Sequence, residues 1–286
     1  MEKRVKNHQF SLYYVIKWLV FAVFVVYAVS LLVPFLWMIM NMFKGVGEFN
    51  KGNYFGLPEK WIFANLWNVL NFESNGQKVY EMFFMSVVTT VLGTAVHVFF
   101  SVVTAYCVAK YEFPGRKAIL SVAIFTMILP IVGTLPAQVQ MMELFHLNGT
   151  LLGVLFLYSG CFGLNFILLH SSFESISWTY AEAAEIDGAN RFQILFQIMI
   201  PLAKGPIISV TVLQVIALWN DYSTPFLFLG DNQTLAVGLQ TLQAEMKEQY
   251  PLIFTAIIVT VLPIFILFAC FEKVIMQNTV AGGLKG

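Results

Sequence analysis

Six long apolar runs dominate this chain of 286 residues, extending approximately over Leu19 to Met40, Phe83 to Val108, Ala118 to Val139, Leu151 to Leu169, Ile207 to Leu229 and Leu252 to Phe271. A hydrocarbon layer roughly 30 Å thick is crossed by about 20 residues of helix, and inside it only a helix or a closed barrel satisfies its own backbone. None of the six alternates as barrel strands do. They predict an all-α, polytopic membrane protein with six transmembrane helices. Composition agrees, since 11% of the residues are charged where a soluble surface needs roughly a quarter. The runs are spread from end to end, which predicts one transmembrane domain over 1–286. Lys3, Arg4 and Lys6 precede the first run, but its apolar stretch is too long for a secretion signal and lacks a small-residue cleavage pattern, so it reads as a retained helix.

With an even number of spans both termini share one side, and the basic residues choose which. Lys3, Arg4, Lys6, Lys17, Lys110, Arg116, Lys117, Arg191, Lys204, Lys273 and Lys285 fall in the termini and even-numbered loops, against Lys44, Lys51, Lys60, Lys78 and Lys247 in the others. The bias predicts that both termini are cytoplasmic. Basic and acidic residues number 16 each, which gives no reason to expect a nucleic-acid partner. Cys107, Cys161 and Cys270 lie within apolar runs, a poor setting for a disulfide.

The fourth and fifth runs are joined by a cytoplasmic loop, 174–205, that is long for such a connection. Thr179 with Glu182 has the spacing of a capping box, so a helix can begin there and include Ala183 and Ala184. Asp187-Gly188 reads as its stop and turn. Asn190 with Gln193 is a second capping-box pattern, after which Phe192, Leu195, Phe196 and Met199 fall on one helical face. Pro201 ends or kinks that helix before the fifth run.

Glu182-Ala183-Ala184, three residues, Gly188, nine residues, Ile198, then Pro201 resembles the E-A-A motif of bacterial ABC-importer permeases. Ile200 stands where those proteins usually carry leucine. The resemblance implies that this segment is a coupling helix, seated in a cleft of an ATP-hydrolysing subunit through Glu182, Ala183, Ala184, Asp187, Gly188 and Pro201. Within that family the chain is similar to sugar-importer permeases, specifically the smaller membrane subunit of the maltose transporter. It shares an Ala281-Gly282-Gly283-Leu284-Lys285-Gly286 tail, a Thr234-Leu235-Ala236-Val237-Gly238 stretch and Trp219-Asn220-Asp221-Tyr222. It departs from the family at Ile176-Ser177-Trp178-Thr179-Tyr180, where an I-P-x-E-L sequence is common. The resemblance further implies that Gly282, Gly283 and Lys285 of the tail, 272–286, contact the ATPase. It also implies that Gln243, Glu245 and Gln249 of an outer loop, 231–250, contact a sugar-binding protein.

Polar groups inside spans face protein or water. Asn220 and Asp221, with Trp219, are therefore candidates for a substrate pathway; His97, Asn165 and Gln214 are weaker ones, since a lone polar residue of this kind more often bonds across helices. Asn220 and Asp221 lie roughly 20 Å beyond Ile207 along a helix, in the outer half of the membrane. Asp221 is read as lining a cavity, bonding a neighbouring backbone, or capping a break before Pro225. Pro130, Gly133 and Pro136 predict a broken third span.

The sequence offers no catalytic constellation. It has no phosphate loop and no metal-ligand pattern, so the chain is not expected to be an enzyme or to bind a cofactor or metal. The resemblance implies ATP and magnesium on two partner ATPase subunits, a homologous permease subunit, an extracytoplasmic sugar-binding protein, and a multi-pass location in the bacterial cytoplasmic membrane. The alternatives are an ABC permease for amino acids or peptides, and a secondary transporter.

Overall fold

The computed structural model describes the backbone of residues 2–128 and 134–281, and the side chains of 13–126 and 134–273. It divides into two compact units, one comprising Met1–Asn71 with Leu242–Val259 and the other Phe72–Thr241 with Thr260–Gly286.

The first unit contains α1 (Glu2–Asn41), α2 (Val46–Asn50) and α3 (Ala64–Leu70), the last residues of α14 (Leu235–Met246) and the start of α15 (Tyr250–Ala281). Its loops are held by buried polar groups. Asn65 Nδ2 donates to the carbonyls of Met42 and Lys44 at 2.7 and 2.9 Å. The fully buried Lys44 gives its ammonium to the carbonyl of Asn53 at 2.6 Å. Trp37, Phe49 and Phe254 pack edge to face beside them, a favoured aromatic geometry.

The second unit is organised around α4 (Val79–Lys110), against which α7 (Leu151–Tyr158), α8 (Leu164–Ser175) and α12 (Lys204–Trp219) pack. A short antiparallel hairpin, β1 (Glu73–Ser74) and β2 (Gln77–Lys78), leads into α4 with Ser74 opposite Gln77. Its turn, Asn75-Gly76, has φ of 50° and 77°, as a two-residue hairpin turn requires. The core is formed by Val102, Ala105, Tyr106, Phe166, Leu169 and Phe173 and continues into the loop after α8 through Ala181, Ala184, Ile194 and Met199.

Among the described residues, Tyr13–Asn41, Val79–Lys110 and Tyr250–Lys273 are single helices long and apolar enough to cross a membrane. The bent pair Arg191–Leu202 and Lys204–Trp219, meeting at 80°, adds a fourth if counted as one span. The other runs are interrupted. The third is represented by α5 (Arg116–Ile128) and α6 (Leu135–Leu144), with Pro136 in the first turn of α6; Pro130 and Gly133 lie outside the described residues. The fourth, read as one helix, is divided into α7 and α8 at Ser159–Gly163, where Gly163 has φ 130° and ψ −161°. The fifth breaks after Trp219 and resumes as α13 (Ser223–Phe228). The stretch 231–250, read as a loop, is mostly the helix α14, because Leu235, Leu242 and Met246 find buried positions at helical spacing.

Candidate functional site

Residues Thr179–Leu202 form the motif-bearing surface. The first helix, α9 (Thr179–Ile186), is present but lacks the predicted capping box. Trp178 already has helical dihedrals, φ −66° and ψ −19°, so Thr179 is the first helical residue rather than the cap. Its hydroxyl instead pairs with Ser177 Oγ at 2.8 Å. The helix ends as predicted. Gly188 has φ 85°, its N–H bonds to the carbonyl of Glu185 at 3.1 Å, and the N–H of Ala189 reaches that of Ala184 at 2.9 Å. This pair of bonds is a Schellman stop, which needs a left-handed residue at the Gly188 position.

The second capping box is present in full. Gln193 N donates to Asn190 Oδ1 at 2.9 Å, and Asn190 N donates to Gln193 Oε1 at 2.8 Å. The helix then departs from the expected face. Ile194–Met199 winds as a π-helix, so Ile194, Leu195 and Met199 are buried while Phe192 and Phe196 are exposed. Bonding to the fifth residue along, rather than the fourth, rotates the apolar stripe. The bend occurs at Ala203, two residues after Pro201.

These changes redistribute the motif. Ala184, expected on the presented face, packs with Ala181 into the chain's own core. Glu182, Ala183, Glu185, Asp187 and Gly188 are exposed, and Ile186 is 86% exposed. The result is a capped helix with one face fixed to the core and the opposite face, ending in an apolar side chain, open to a partner.

A second group of predicted residues meets inside the helical bundle. Asn165 Nδ2 donates to Gln214 Oε1 at 2.8 Å and lies 3.1 Å from His97 Nε2. Nε2 must then accept, so the neutral imidazole carries its proton on Nδ1 and donates it to the carbonyl of Tyr158 at 3.2 Å. One turn along α4 from His97, Ser101 Oγ donates to the carbonyl of Cys161 at 3.3 Å. Backbone freed by the break between α7 and α8 is thus satisfied from α4, as irregular backbone inside a helical bundle requires.

Tyr158 joins the predicted Asp221 to this group, its hydroxyl donating to Asp221 Oδ2 at 2.9 Å. Asp221 Oδ1 accepts from Thr224 N at 3.2 Å, which holds the start of α13 before Pro225. The other candidates lie apart. Trp219 is buried and donates its indole N–H to the carbonyl of Thr260 at 3.0 Å. Asn220 folds back on the carbonyl of Ile216. Gln243, Glu245 and Gln249 are exposed. Gly282, Gly283 and Lys285 lie outside the described residues. Sequence reasoning missed Tyr158 and Ser101; Gly160 and Gly163 were the signal that the fourth run is broken and that its backbone needs partners.

His97→Leu and Asn165→Leu are each expected to destabilise the purified protein by about 1 kcal/mol, because each leaves half-buried hydrogen-bonding groups without their partners. The double variant is expected to fall short of the sum by about 0.5 kcal/mol or more. Thermal unfolding of the four proteins checks this; strict additivity would mean that the two side chains act independently.

Bounded by a core-anchored motif helix at one end and a laced, interrupted bundle beyond it, the chain has the organisation of a transport permease. It belongs to the family of binding-protein-dependent transport system inner membrane components, which it matches over residues 77–279. Proteins of this family are membrane components of transporters and not enzymes. The chain is 30% identical over 271 residues to the diacetylchitobiose uptake system permease protein NgcG of Streptomyces coelicolor, covering 92% of this chain and 87% of that one. It is 31% identical over 264 residues to the inner membrane ABC transporter permease protein YcjP of Escherichia coli, covering 89% and 91%. Among solved structures it resembles a chain of a bacterial ABC transporter involved in import of the acidic polysaccharide alginate, with a TM-score of 0.76, 25% identity, and coverage of 88% and 93%.

Proposed function

We propose that this chain is the membrane subunit through which ATP hydrolysis on partner subunits drives uptake of a di- or oligosaccharide. The observation that carries this reading is the Schellman-capped helix α9. Its exposed face, Glu182, Ala183 and Ile186 through Gly188, is backed by a core shared with α4 and α8, so a push on that face is transmitted to the bundle as rigid-body motion. The sugar in the names of similar permeases supports the choice of cargo.

On this reading two ATPase subunits, each carrying ATP and magnesium, close and move α9. A homologous permease subunit supplies the other half of the pathway, and an extracytoplasmic sugar-binding protein delivers the cargo against Gln243, Glu245 and Gln249. The glycine-rich tail with Lys285 reaches the ATPase interface. Six spans in the bacterial cytoplasmic membrane, with both termini inside, complete the topology. The assembled transporter, reconstituted with its cognate binding protein, is expected to show ATPase stimulation and uptake with a di- or oligosaccharide from a panel. Stimulation only by amino acids or peptides would overturn the assignment.

A further inference from the structure

The start of α4 carries a cleft that the transport reading does not use. It has a volume of about 770 Å³ and is lined by Tyr80, Phe84, Asn75, Asn232, Glu81 and Asp231, among others. That volume is in the range of small-molecule sites. Its walls are tied together: Gln77 Oε1 accepts from Gln233 N at 2.8 Å and its Nε2 donates to the Gln233 carbonyl at 3.4 Å, lacing the β-hairpin to the segment before α14. Glu81 is also fixed, accepting from Lys78 N at 2.8 Å and from the Tyr80 hydroxyl at 3.3 Å.

The lining combines two chemistries. Tyr80 and Phe84 are 46% and 67% exposed and offer flat apolar faces of the kind that cover the C–H face of a pyranose. Asn75, Asn232 and Asp231 offer planar amides and a carboxylate, none with a side-chain partner among the described residues, suited to pairs of vicinal hydroxyls. Exposed aromatics alone would suit an interfacial belt; here they are grouped with exposed amides around a concavity. Two carboxylates line the cleft and one cation borders it, Lys78 Nζ lying 5.9 Å from the centre of the Tyr80 ring, so the local balance is negative and disfavours an anionic sugar.

Position adds a further constraint. The cleft opens at the N-terminal end of α4, whereas Lys110 at the other end donates to the carbonyl of Ile176, just before α9. The 32 residues of α4 separate the two by about 48 Å along the helix. A cleft opposite the ATPase-facing surface faces the side from which cargo arrives.

We propose that this cleft is a low-affinity binding site for a neutral di- or oligosaccharide, occupied before the sugar enters the bundle. The proposal rests on the sugar-import reading above. The test uses the assembled complex in nanodiscs without the binding protein, titrated with cellobiose, raffinose, maltotriose and trigalacturonate and followed by saturation-transfer NMR. A neutral sugar is expected to bind and trigalacturonate not to bind. Tyr80→Ala and Asn232→Ala are each expected to weaken binding by about tenfold, whereas Tyr80→Phe, which keeps the flat face, retains most of it. If Tyr80→Ala fails to assemble, Asn232→Ala alone decides. Variants that titrate like the wild type, preference for trigalacturonate, or no binding by a complex that imports a neutral sugar with its binding protein would each overturn the cleft while leaving sugar import intact. A complete complex that imports no saccharide would remove both.

Discussion

Gly188→Val is expected to uncouple ATP hydrolysis from transport while leaving the protein inserted and assembled. The residue has φ 85°, and a Cβ placed there meets nothing within 4 Å, so any effect comes from the backbone and not from a clash. A β-branched residue held in the left-handed region costs about 1–3 kcal/mol. The chain can relieve that strain only by giving up the two bonds that stop α9, from Gly188 to Glu185 and from Ala189 to Ala184. The exposed face formed by Glu182, Ala183 and Ile186 would then lose its fixed orientation at the point where a partner seats. Since about 1.4 kcal/mol is a factor of ten, binding-protein-stimulated ATPase activity should fall roughly fivefold or more. Gly188→Ala should lie between wild type and valine, and Gly188→Asn, which tolerates left-handed dihedrals, nearest to wild type. Equal coupling in all four proteins would remove α9 from the transmission path.

The two capping-box patterns show which parts of this surface were legible. Asn190 and Gln193 need only each other, and the structure contains both bonds. Thr179 and Glu182 have the same spacing, but Trp178 stands at the cap position with helical dihedrals and Ser177 takes the Thr179 hydroxyl, a competition between neighbours that spacing does not encode. The faces of Phe192 and Phe196 were misplaced for a different reason. A period of 3.6 residues was assumed, and π winding over Ile194–Met199 follows from seating Ile194 and Met199 together in the core. The Asn75-Gly76 hairpin was overlooked although that pair is a strong turn signal, because the surrounding strands are two residues each and too short to alternate. Asn165 and Gln214 were separately legible as costly polar groups in apolar runs. Their meeting with His97 depends on how α4, α8 and α12 pack, which no local pattern specifies. Hydropathy also counted Leu151 to Leu169 as one helix, since a transfer scale registers apolar side chains and is blind to a backbone angle.

That blindness gives the second large prediction its sign. In a continuous helix, Gly163→Ala would stabilise the protein by about 1 kcal/mol, because alanine is the better helix former. In this structure Gly163 has φ 130° and ψ −161°, a region reached essentially by glycine alone, and forcing another residue into it costs about 1–3 kcal/mol. No atom lies within 4 Å of the added Cβ, so repacking offers no relief. The break could close into a helix only by surrendering the bond from His97 to the Tyr158 carbonyl and that from Ser101 to the Cys161 carbonyl, which leaves α4 with unpaired polar groups facing the bundle. Gly163→Ala is therefore expected to lower the thermal unfolding midpoint of the purified complex, and Gly163→Val to lower it further and to reduce the yield of assembled transporter. A raised midpoint for the alanine variant would mean that the fourth apolar run is a single helix and that His97 and Ser101 have no break to hold. The two outcomes differ in sign, so a shift of a few degrees decides between them.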